Sequence, residues 1–339
     1  MRTALRMTLA AALAGGALAA RDWWWRQREE GLEGQVAVVT GGSRGLGLLV
    51  ARELARQGCR VAICARHSDE LEKAARILRT EGLEALTVPC DVSDRAQVEE
   101  MVRRVTDELG PVDVLVNNAG IIQVGPLEAM DEADFRRSMD VMYWGVVHPT
   151  LAVLPEMRRR RRGRLVNVTS IGGKIAVPHL LPYSAAKFAA VGFSEGLRAE
   201  LQGSGVMVTT VVPGLMRTGS HLNAEFKGKT RDEFTWFSLG ATLPLISMDA
   251  ERAAGRIVTA TRRGEPEVIL SLPATLAVRV HGFLPGLVTD LLGAVGRILP
   301  AAGSTTGSRR GGEAYQRSGR WLKLATALGS RAAARNNEA

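Results

Sequence analysis

The stretch QVAVVTGGSRGLGLLVARELARQ occupies residues 35–57. Its apolar, β-branched start predicts a buried strand over residues 35–40, and a helix follows over residues 45–57. The turn between them has the pattern T-G-x-x-x-G-x-G, whose glycines allow the backbone to approach a pyrophosphate closely. Because the free N–H groups and the dipole of a helix N-terminus favour an anion, the stretch predicts a nucleotide-binding turn. The candidate contacts of the turn are Gly41, Ser43, Arg44, Gly45, Leu46 and Gly47.

Strands and helices alternate beyond this unit. Further strands are predicted over residues 60–64, 83–89, 112–117, 164–169, 206–212 and 267–270. Helices are predicted over residues 69–81, 94–109 and 183–202, with two more inside 131–161. Continuous apolar strands that alternate with amphipathic helices indicate a parallel sheet covered on both faces. The predicted fold is therefore α/β, a Rossmann-type, doubly wound sheet of about seven strands.

Composition limits the class of protein. The chain has 339 residues, 46% of them hydrophobic and 23% charged, which excludes disorder and a disulfide-stapled miniprotein. An apolar run of the ~18–20 residues that span a bilayer is missing, so a polytopic membrane protein is also excluded. The odd count of 3 cysteines argues against a disulfide framework and favours a reducing compartment. With a net charge of +9, nucleic acid and anionic membranes must both be considered.

Three domains are predicted: an apolar N-terminal segment (1–30), a dinucleotide-binding domain (31–272) and a basic, helical C-terminal extension (273–339). In the first, arginines precede the apolar residues 7–20, and a tryptophan cluster follows. This order is typical of a secretory signal or of an interfacial anchor, and a cytosolic cofactor favours the anchor. In the extension, we expect one apolar helical face over residues 285–299, a flexible link over 303–312 and a basic helix over 315–335.

The second strand indicates which dinucleotide binds. NAD sites usually place a carboxylate at the end of this strand to accept hydrogen bonds from the ribose. Here the strand ends with Cys64, Ala65, Arg66 and His67, without an acid. Two guanidiniums, Arg44 and Arg66, would suit a 2′-phosphate, which favours NADP(H) with NAD(H) as the alternative. Otherwise both arginines are solvated surface charges.

A candidate catalytic set follows the fifth strand. Ser170 ends that strand, and Tyr183 and Lys187 share one helix face because they are four residues apart. A Lys cation beside a phenol is expected to lower the Tyr pKa, which suits a general acid for carbonyl reduction. Ser170 would polarise the carbonyl oxygen. Alternatively, Tyr183 and Lys187 are two ordinary exposed side chains on one helix face, without a catalytic role.

Together these motifs resemble the short-chain dehydrogenase/reductase family, in its simple single-domain branch, over about residues 35–270. The resemblance implies hydride transfer between a nicotinamide and a ketone or secondary alcohol, with Ser170, Tyr183 and Lys187 as the catalytic residues. Tyr183 and Lys187 would also contact the cofactor, and no metal is implied. The further cofactor contacts that it implies are Asp91, Val92, Asn118, Ala119, Gly120, Pro213, Gly214 and Thr218.

One position departs from the family pattern. Where the family usually has an Asn that holds a water behind the catalytic Lys, this chain has Met142. A thioether cannot hold that water by a strong hydrogen bond, so the relay would run through another group, such as Asp140 or His148, or turnover would be impaired. The sequence thus favours an NADP-dependent oxidoreductase. The alternatives are a catalytically impaired nucleotide-binding regulator and an NAD-dependent alcohol or sugar dehydrogenase.

The sequence carries weaker signals for the substrate and the partners than for the cofactor. Aromatic residues within 219–245 suggest an apolar pocket for a lipophilic ketone, or they simply cover the core. The run Arg158–Arg162 is by default a solvated helix end, although it could contact anionic lipid. Nucleic acid is disfavoured because zinc, helix–turn–helix and RNA-binding motifs are missing. We expect a cytoplasmic protein, attached to a membrane through residues 1–30, and the resemblance implies a homo-oligomer.

Overall fold

The computed structural model describes residues 24–27, 29–242, 247–303, 307–316 and 318–338. The apolar residues 7–20, for which an anchor or a signal is expected, lie outside this range. The three cysteines are free and buried.

A seven-stranded parallel sheet forms the centre of the protein. Its strands are β1 (Val36–Thr40), β2 (Arg60–Ala65), β3 (Ala85–Pro89), β4 (Val114–Asn117), β5 (Gly163–Val168), β6 (Val206–Pro213) and β7 (Glu267–Leu270). They lie in the order β7-β6-β5-β4-β1-β2-β3. The order reverses between β1 and β4, and such a switch point leaves a crevice at the carboxyl ends of the strands. The predicted Rossmann-type fold with about seven strands is confirmed.

Helices cover both faces of the sheet. They are α1 (Gly45–Arg56), α2 (Ser68–Thr80), α3 (Arg95–Leu109), α4 (Glu132–Met139), α5 (Gly145–Arg160), α6 (Leu181–Glu200), α7 (Thr230–Thr242) and α8 (Ala250–Arg263). One buried cluster joins β1 to α1 and α8, and a second joins the other face to α3 and α5. Since β1 contributes alternate side chains to both clusters, it is buried from both sides, as its unbroken apolar run predicts.

The connection between α4 and α5 is a π-helical segment, Asp140–Trp144. The sequence predicts two helices in this region but not the wider turn that joins them. The arginine run at the end of α5 is partly paired: Arg160 contacts Asp113 at 2.6 Å, and Arg159 contacts Glu156 at 2.7 Å. Arg161 and Arg162 are exposed.

The C-terminal extension is helical, as predicted, but its details differ. It contains α9 (Leu272–Phe283), α10 (Pro285–Gly296), α11 (Gly311–Gln316), α12 (Arg320–Ala325) and α13 (Ala327–Arg335). The expected single helix over 315–335 is wrong, because three short helices cover that region. Part of the expected link is also structured, since Arg309–Arg310 pairs antiparallel with Glu225–Phe226. These segments fold back onto the domain, and Leu322 packs with Phe226 and Phe234.

Short elements complete the fold. They are the strands Gln123–Val124, Leu215–Arg217, Glu225–Phe226, Ser247–Asp249 and Arg309–Arg310, the 3-10 turns Leu127–Ala129 and Ile171–Gly173, and the helix Ser220–Asn223. Among the described helices, none is by itself long and apolar enough to cross a bilayer. The pair α9 and α10 meets the length and composition test together, across a bend of 120°.

A buried polar ladder ties the carboxyl half of the sheet to its helices. Asn117 Nδ2 at the end of β4 donates to Asn167 Oδ1 on β5 at 2.9 Å and to Thr150 Oγ1 on α5 at 3.0 Å. Asn167 Nδ2 donates to Ser194 Oγ on α6 at 2.9 Å, and Ser194 bonds Thr210 on β6 at 2.7 Å. Because every one of these groups is buried, the ladder fixes how the strands and helices that carry the site lie against one another.

Asn167→Ala tests the ladder. It removes one of the two hydrogen-bond partners of Asn117 Nδ2 and one of those of Ser194 Oγ, both of which are buried, so we expect the free energy of unfolding to fall by about 2–5 kcal/mol. Urea denaturation measures this change. Thr106→Ala removes an exposed hydroxyl that bonds within α3 and should stay within about 0.5 kcal/mol of the parent. Equal effects of the two substitutions would contradict the role of the ladder.

Candidate active site

A cavity of about 630 Å³ opens at the carboxyl ends of the strands. The turn after β1, the loop after β4, the end of β5 and the start of α6 meet there. All the residues that the sequence suggests for cofactor binding and catalysis line it. These are Gly41, Ser43, Arg44, Gly45, Leu46, Gly47, Arg66, Asp91, Val92, Asn118, Ala119, Gly120, Ser170, Tyr183, Lys187, Pro213, Gly214 and Thr218.

The glycine turn is held close to the loop after β4. The backbone N–H groups of Asn118 and Ala119 donate to Thr40 Oγ1 at 2.9 and 3.1 Å. The Asn118 side chain donates to the Gly41 carbonyl at 3.2 Å. A methyl group on Gly47 would lie 2.1 Å from that carbonyl oxygen. The turn therefore needs glycine at position 47, and its backbone forms the floor of the crevice.

Ser170 and Tyr183 are in direct contact. Ser170 Oγ accepts a hydrogen bond from the Gly172 N–H at 3.0 Å and also bonds the Tyr183 side chain. Lys187 lies one helical turn along α6, with Nζ 5.9 Å from the centre of the Tyr183 ring. Its Nζ donates to the Val168 carbonyl at 3.0 Å. The three candidate catalytic side chains thus face one point of the cavity.

The electrostatics of this group differ from the expectation. Burial raises the pKa of Tyr183, and the hydrogen bond with Ser170 opposes that rise only in part. The expected lowering of the Tyr183 pKa by Lys187 is therefore wrong for this structure, since the ammonium group bonds the Val168 carbonyl. Burial lowers the pKa of Lys187 to about 8. A buried ammonium group with a carbonyl acceptor is destabilising, which is common at sites that serve chemistry.

Met142 is fully buried behind the lysine. It lies in the π-helical segment, and a methyl group on Gly120 would lie 3.8 Å from both Met142 Sδ and Lys187 Nζ. The two suggested substitutes in the relay lie elsewhere. Asp140 is exposed, and His148 Nδ1 is 3.3 Å from the Val92 carbonyl. Neither belongs to the described residues that line the cavity.

Sequence reasoning missed an acid beside the two arginines. Glu70, in the first turn of α2, accepts hydrogen bonds from Arg44 at 2.9 Å and from Ser43 Oγ at 3.2 Å. Arg66 is exposed at the rim of the cavity. The end of β2 carries no carboxylate, and Glu70 lies four residues after Arg66, beyond that end. The sequence did carry a signal for Glu70: α2 starts directly after β2, and the first turn of such a helix points back to the glycine turn.

Residues 336–338 were also missed, and they lie across the glycine turn. The Asn336 carbonyl accepts from the Gly45 N–H at 2.8 Å. Asn337 Nδ2 donates to the Ser43 carbonyl at 2.9 Å. The Glu338 carboxyl hydrogen-bonds the Thr218 side chain, and burial raises its pKa to about 7. Local patterns in the sequence give no sign of a contact between positions almost 300 residues apart.

The residues fit a dinucleotide phosphate. The first N–H groups of α1 point into the crevice, and the chain itself places an acidic side chain there. One buried oxygen of that carboxyl, Glu338 Oε2, has no hydrogen-bond partner among the described residues. Burial raises the pKa of this carboxyl to about 7, so the group is only partly ionised at neutral pH, and anion binding at this helix terminus stays a prediction of the glycine turn. In the described ranges, no group of His, Cys, Asp and Glu could hold a metal ion.

The aromatic residues after β6 divide between two roles. Trp236 and Phe237 on α7 line the cavity, next to Val177 and Leu180. Phe226 and Phe234 are buried and pack edge to face at 5.5 Å between ring centres. Phe237 combines both roles, because it is buried and packs edge to face on Phe226 at 5.8 Å between ring centres, so both interpretations of this segment apply in part.

Gly47→Ala tests the glycine turn. The added methyl group collides with the Gly41 carbonyl, so we expect weaker nucleotide binding and a stability loss of about 1–3 kcal/mol. Gly196 on α6 is exposed with open space around its Cα, and Gly196→Ala should be stabilising by about 0.5–1 kcal/mol. Thermal unfolding and nucleotide titration compare the two variants. A Gly47→Ala protein that binds like the parent would refute the close approach.

Lys187→Met tests the cost of the buried ammonium group. The folded protein has a Lys187 pKa of about 8, below the ordinary value of 10.5. Between these values the unfolded chain binds a proton that the folded chain has released, so parental stability rises with pH there. The variant lacks this rise. We expect it to be more stable than the parent near neutral pH, on the order of 3 kcal/mol, with the advantage shrinking toward pH ~10.5. Urea denaturation across this range measures it, and a pH-independent difference would contradict the assignment.

Several known proteins are similar to this chain in sequence. The family model for short chain dehydrogenase matches residues 35–227. A putative ketoacyl reductase from Streptomyces coelicolor is 40% identical over 188 residues, which cover 55% of this chain and 72% of that protein. Glycine betaine reductase ATRR from Emericella nidulans is 36% identical over 234 residues, 69% of this chain. The chain spans only 18% of that protein.

Two solved structures with similar folds contain a nicotinamide cofactor. One is gluconate 5-dehydrogenase from Burkholderia cenocepacia in complex with NADP and tartrate. It has a TM-score of 0.63 and 27% identity, and the alignment covers 72% of this chain and 96% of that one. The other is a variant of actinorhodin polyketide ketoreductase with NADPH. It has a TM-score of 0.61 and 31% identity, and the alignment covers 70% of this chain and 95% of that one.

Proposed function

The chain belongs to the short-chain dehydrogenase family, and we propose that it is an NADP-dependent enzyme that reduces a lipophilic ketone or oxidises the corresponding secondary alcohol. The observation that carries the proposal is the contact between Ser170 and Tyr183, with Lys187 one turn away, in the same cavity as the glycine turn. Ketoacyl reductases among the similar proteins support ketone reduction.

The proposed chemistry divides between the cofactor and the chain. NADPH supplies a hydride. Ser170 Oγ holds the substrate carbonyl oxygen by a hydrogen bond and lies beside the Tyr183 phenol, which donates the proton to that oxygen. Because burial keeps the phenol protonated, Tyr183 is in the acid form that reduction requires. Lys187, one turn along α6 with its Nζ on the Val168 carbonyl, would hold the nicotinamide ribose of the cofactor.

The preference for NADP rests on the two arginines. Arg66 at the rim has an exposed guanidinium, and Arg44 lies inside the glycine turn. In the proposal both face the 2′-phosphate, and Arg44 exchanges Glu70 for that group. Two similar structures contain NADP or NADPH, which supports this choice. A lipophilic substrate is inferred from the apolar wall that includes Trp236 and Phe237.

The decisive experiment combines nucleotide binding with turnover. The full chain should bind NADPH more tightly than NADH and oxidise NADPH with a member of a panel of lipophilic ketones. In Tyr183→Phe, we expect kcat to fall by about 10²–10⁴-fold with little change in NADPH affinity. Equal NADH and NADPH affinity would remove the cofactor preference. Unchanged turnover in Tyr183→Phe would exclude the phenol as the proton donor.

Met142 favours a second candidate, a nucleotide-binding regulator with impaired turnover. Its apolar side chain is fully buried where a water relay would reach Lys187. Met142→Asn introduces an amide that can hold such a water, and we expect kcat to rise severalfold while NADPH affinity stays the same. Met142→Leu is the volume-matched control and should leave turnover unchanged. A turnover that neither substitution alters would show that Met142 is not limiting.

We also infer a cytoplasmic location and contact with a membrane, from the cofactor and from the apolar N-terminal segment. A homo-oligomer is proposed on the exposed side chains Leu151 on α5 and Phe188 on α6, which a second copy could cover. Sedimentation of Leu151→Ser beside the parent tests the oligomer.

A further inference from the structure

Helices α9 and α10 form an apolar hairpin whose outer side is exposed. Four large side chains on each helix are exposed at the same spacing. They are Leu272, Leu276, Val280 and Phe283 on α9 and Leu287, Leu291, Val295 and Ile298, which continue along and just past α10. Phe283 is 84% exposed and Ile298 83%. All residues of α10 are described, and none of them is buried. Exposed apolar surface of this extent marks an interaction site.

The shape of the hairpin suits a bilayer surface. The two helices are together as apolar as a membrane segment, but they are bent by 120°. Each has 12 residues, about 18 Å of helix, against a hydrocarbon core of about 30 Å. On α10 the side chains of Val288 and Leu292 are half-buried on the side that faces the protein, so the opposite, apolar side is free to enter lipid. The hairpin therefore fits insertion into one leaflet.

Charge favours an anionic leaflet. Arg279 and Arg297 are exposed on the hairpin, and Asp290 is the acid between them. Long arginine side chains can bury their stems beside apolar neighbours while the guanidinium reaches the headgroups. The chain as a whole carries a net charge of +9, which attracts it to negatively charged lipid.

The base of the hairpin flanks the cavity. Pro273, Ala274 and Ala277 on the inner side of α9 line it. At the other end, a methyl group on Gly296 would lie 3.6 Å from Pro178, and its neighbour Val177 also lines the cavity. A hairpin inserted into lipid would thus bring the mouth of the cavity to the bilayer surface.

We propose that the α9–α10 hairpin inserts into one leaflet of an anionic bilayer. The proposal concerns a surface and does not depend on the reaction. It also differs from anchoring through residues 1–30, because a different part of the chain would enter the lipid.

The test places an environment-sensitive fluorophore at the tip of the hairpin. Phe283→Cys in the full chain is labelled with a nitrobenzoxadiazole maleimide, which spares the three buried native cysteines. Lys73→Cys is the matched control, on the exposed side of α2 near the opposite edge of the sheet. Vesicles of phosphatidylcholine are compared with vesicles that also contain phosphatidylserine. Lipids brominated in their acyl chains serve as quenchers.

We expect the label at position 283 to shift to shorter wavelength and to be quenched on phosphatidylserine vesicles, while the label at position 73 stays unchanged. If the protein floats with vesicles but the position 283 label remains in water, another segment binds the lipid and the proposal fails. A blue-shifted label without vesicles that reverts on dilution identifies a second copy as the partner, which also overturns the proposal.

A separate observation concerns residues 336–338, which contact both ends of the proposed cofactor site. They bond the Gly45 N–H and the Ser43 carbonyl at the glycine turn, and the Glu338 carboxyl bonds Thr218 near the proposed nicotinamide end. A methyl group on Gly45 would lie 2.7 Å from Glu338 Oε1. The carboxylate thus occupies the anion position at the start of α1.

Residues 336–338 make several hydrogen bonds to the site, but the contact buries the ionisable carboxyl group of Glu338. Glu338 is attracted by Arg44, yet one buried carboxyl oxygen lacks a partner among the described residues. A dinucleotide pyrophosphate, with more charge and more acceptor oxygens, would satisfy the N–H groups of the turn better. We infer that residues 336–338 compete with the cofactor for its site and are displaced when it binds. This inference rests on the proposed function.

The experiment compares NADPH affinity in four forms: the full chain, a form without residues 336–339, Asn223→Ala and Glu338→Gln. Asn223 Nδ2 donates to the Glu338 carbonyl at 3.1 Å and does not belong to the described cavity lining. We expect the deletion to tighten NADPH binding about tenfold, and Asn223→Ala to do so by a smaller factor. Glu338→Gln should act in the same direction as the deletion.

The outcomes distinguish a failure of the proposed competition from a failure of the proposed function. Equal NADPH affinity of the full chain and the deletion form would overturn the competition alone. Weaker binding by the deletion form would also overturn it and would make the segment part of the cofactor site. If no form binds NADPH or NADH, the proposed function itself fails.

Discussion

The close approach of two backbone segments at the switch point of the sheet governs the rest of the site. Thr40 at the end of β1 accepts hydrogen bonds from the N–H groups of Asn118 and Ala119 after β4. Asn118 in turn holds the Gly41 carbonyl, against which Gly47 packs without room for a methyl group. Because β1 and β4 are neighbours in the sheet, this contact sets the start of α1 against the loop after β4. The crevice between them follows from that arrangement.

The site contains a buried ammonium group, which lowers the stability of the fold. Lys187 is buried with a carbonyl acceptor, and its lowered pKa measures the cost of removing an ammonium group from water. Met142, directly behind it, adds no polar partner. The buried ladder through Asn117 and Asn167 has the opposite character, since its members largely satisfy one another. A rigid polar frame thus supports a candidate catalytic group whose burial is itself destabilising.

The sequence predicted what depends on short-range pattern. The apolar runs located all seven strands of the sheet within about two residues, because a strand buried on both faces needs continuous apolar residues. The candidate site residues all line one cavity, because the carboxyl ends of neighbouring parallel strands meet at one edge. The extension was less predictable. Residues 315–335 look like one basic helix, but Leu322 is held in the core by Phe226 and Phe234, and the chain turns to allow it.

Taken alone, the sequence determined the fold class, the strand–turn–helix unit for which anion binding is predicted, and the residues that meet at the site. These follow from periodicity and from the glycines of one turn, which act over a few residues. Tertiary structure decided that Glu70 pairs with Arg44, that Lys187 bonds the Val168 carbonyl, and that the Tyr183 pKa rises. It also decided that residues 336–338 cover the glycine turn and that α9 and α10 stand exposed. Such features depend on burial and on contacts between residues far apart in the chain, which no local pattern of side chains encodes.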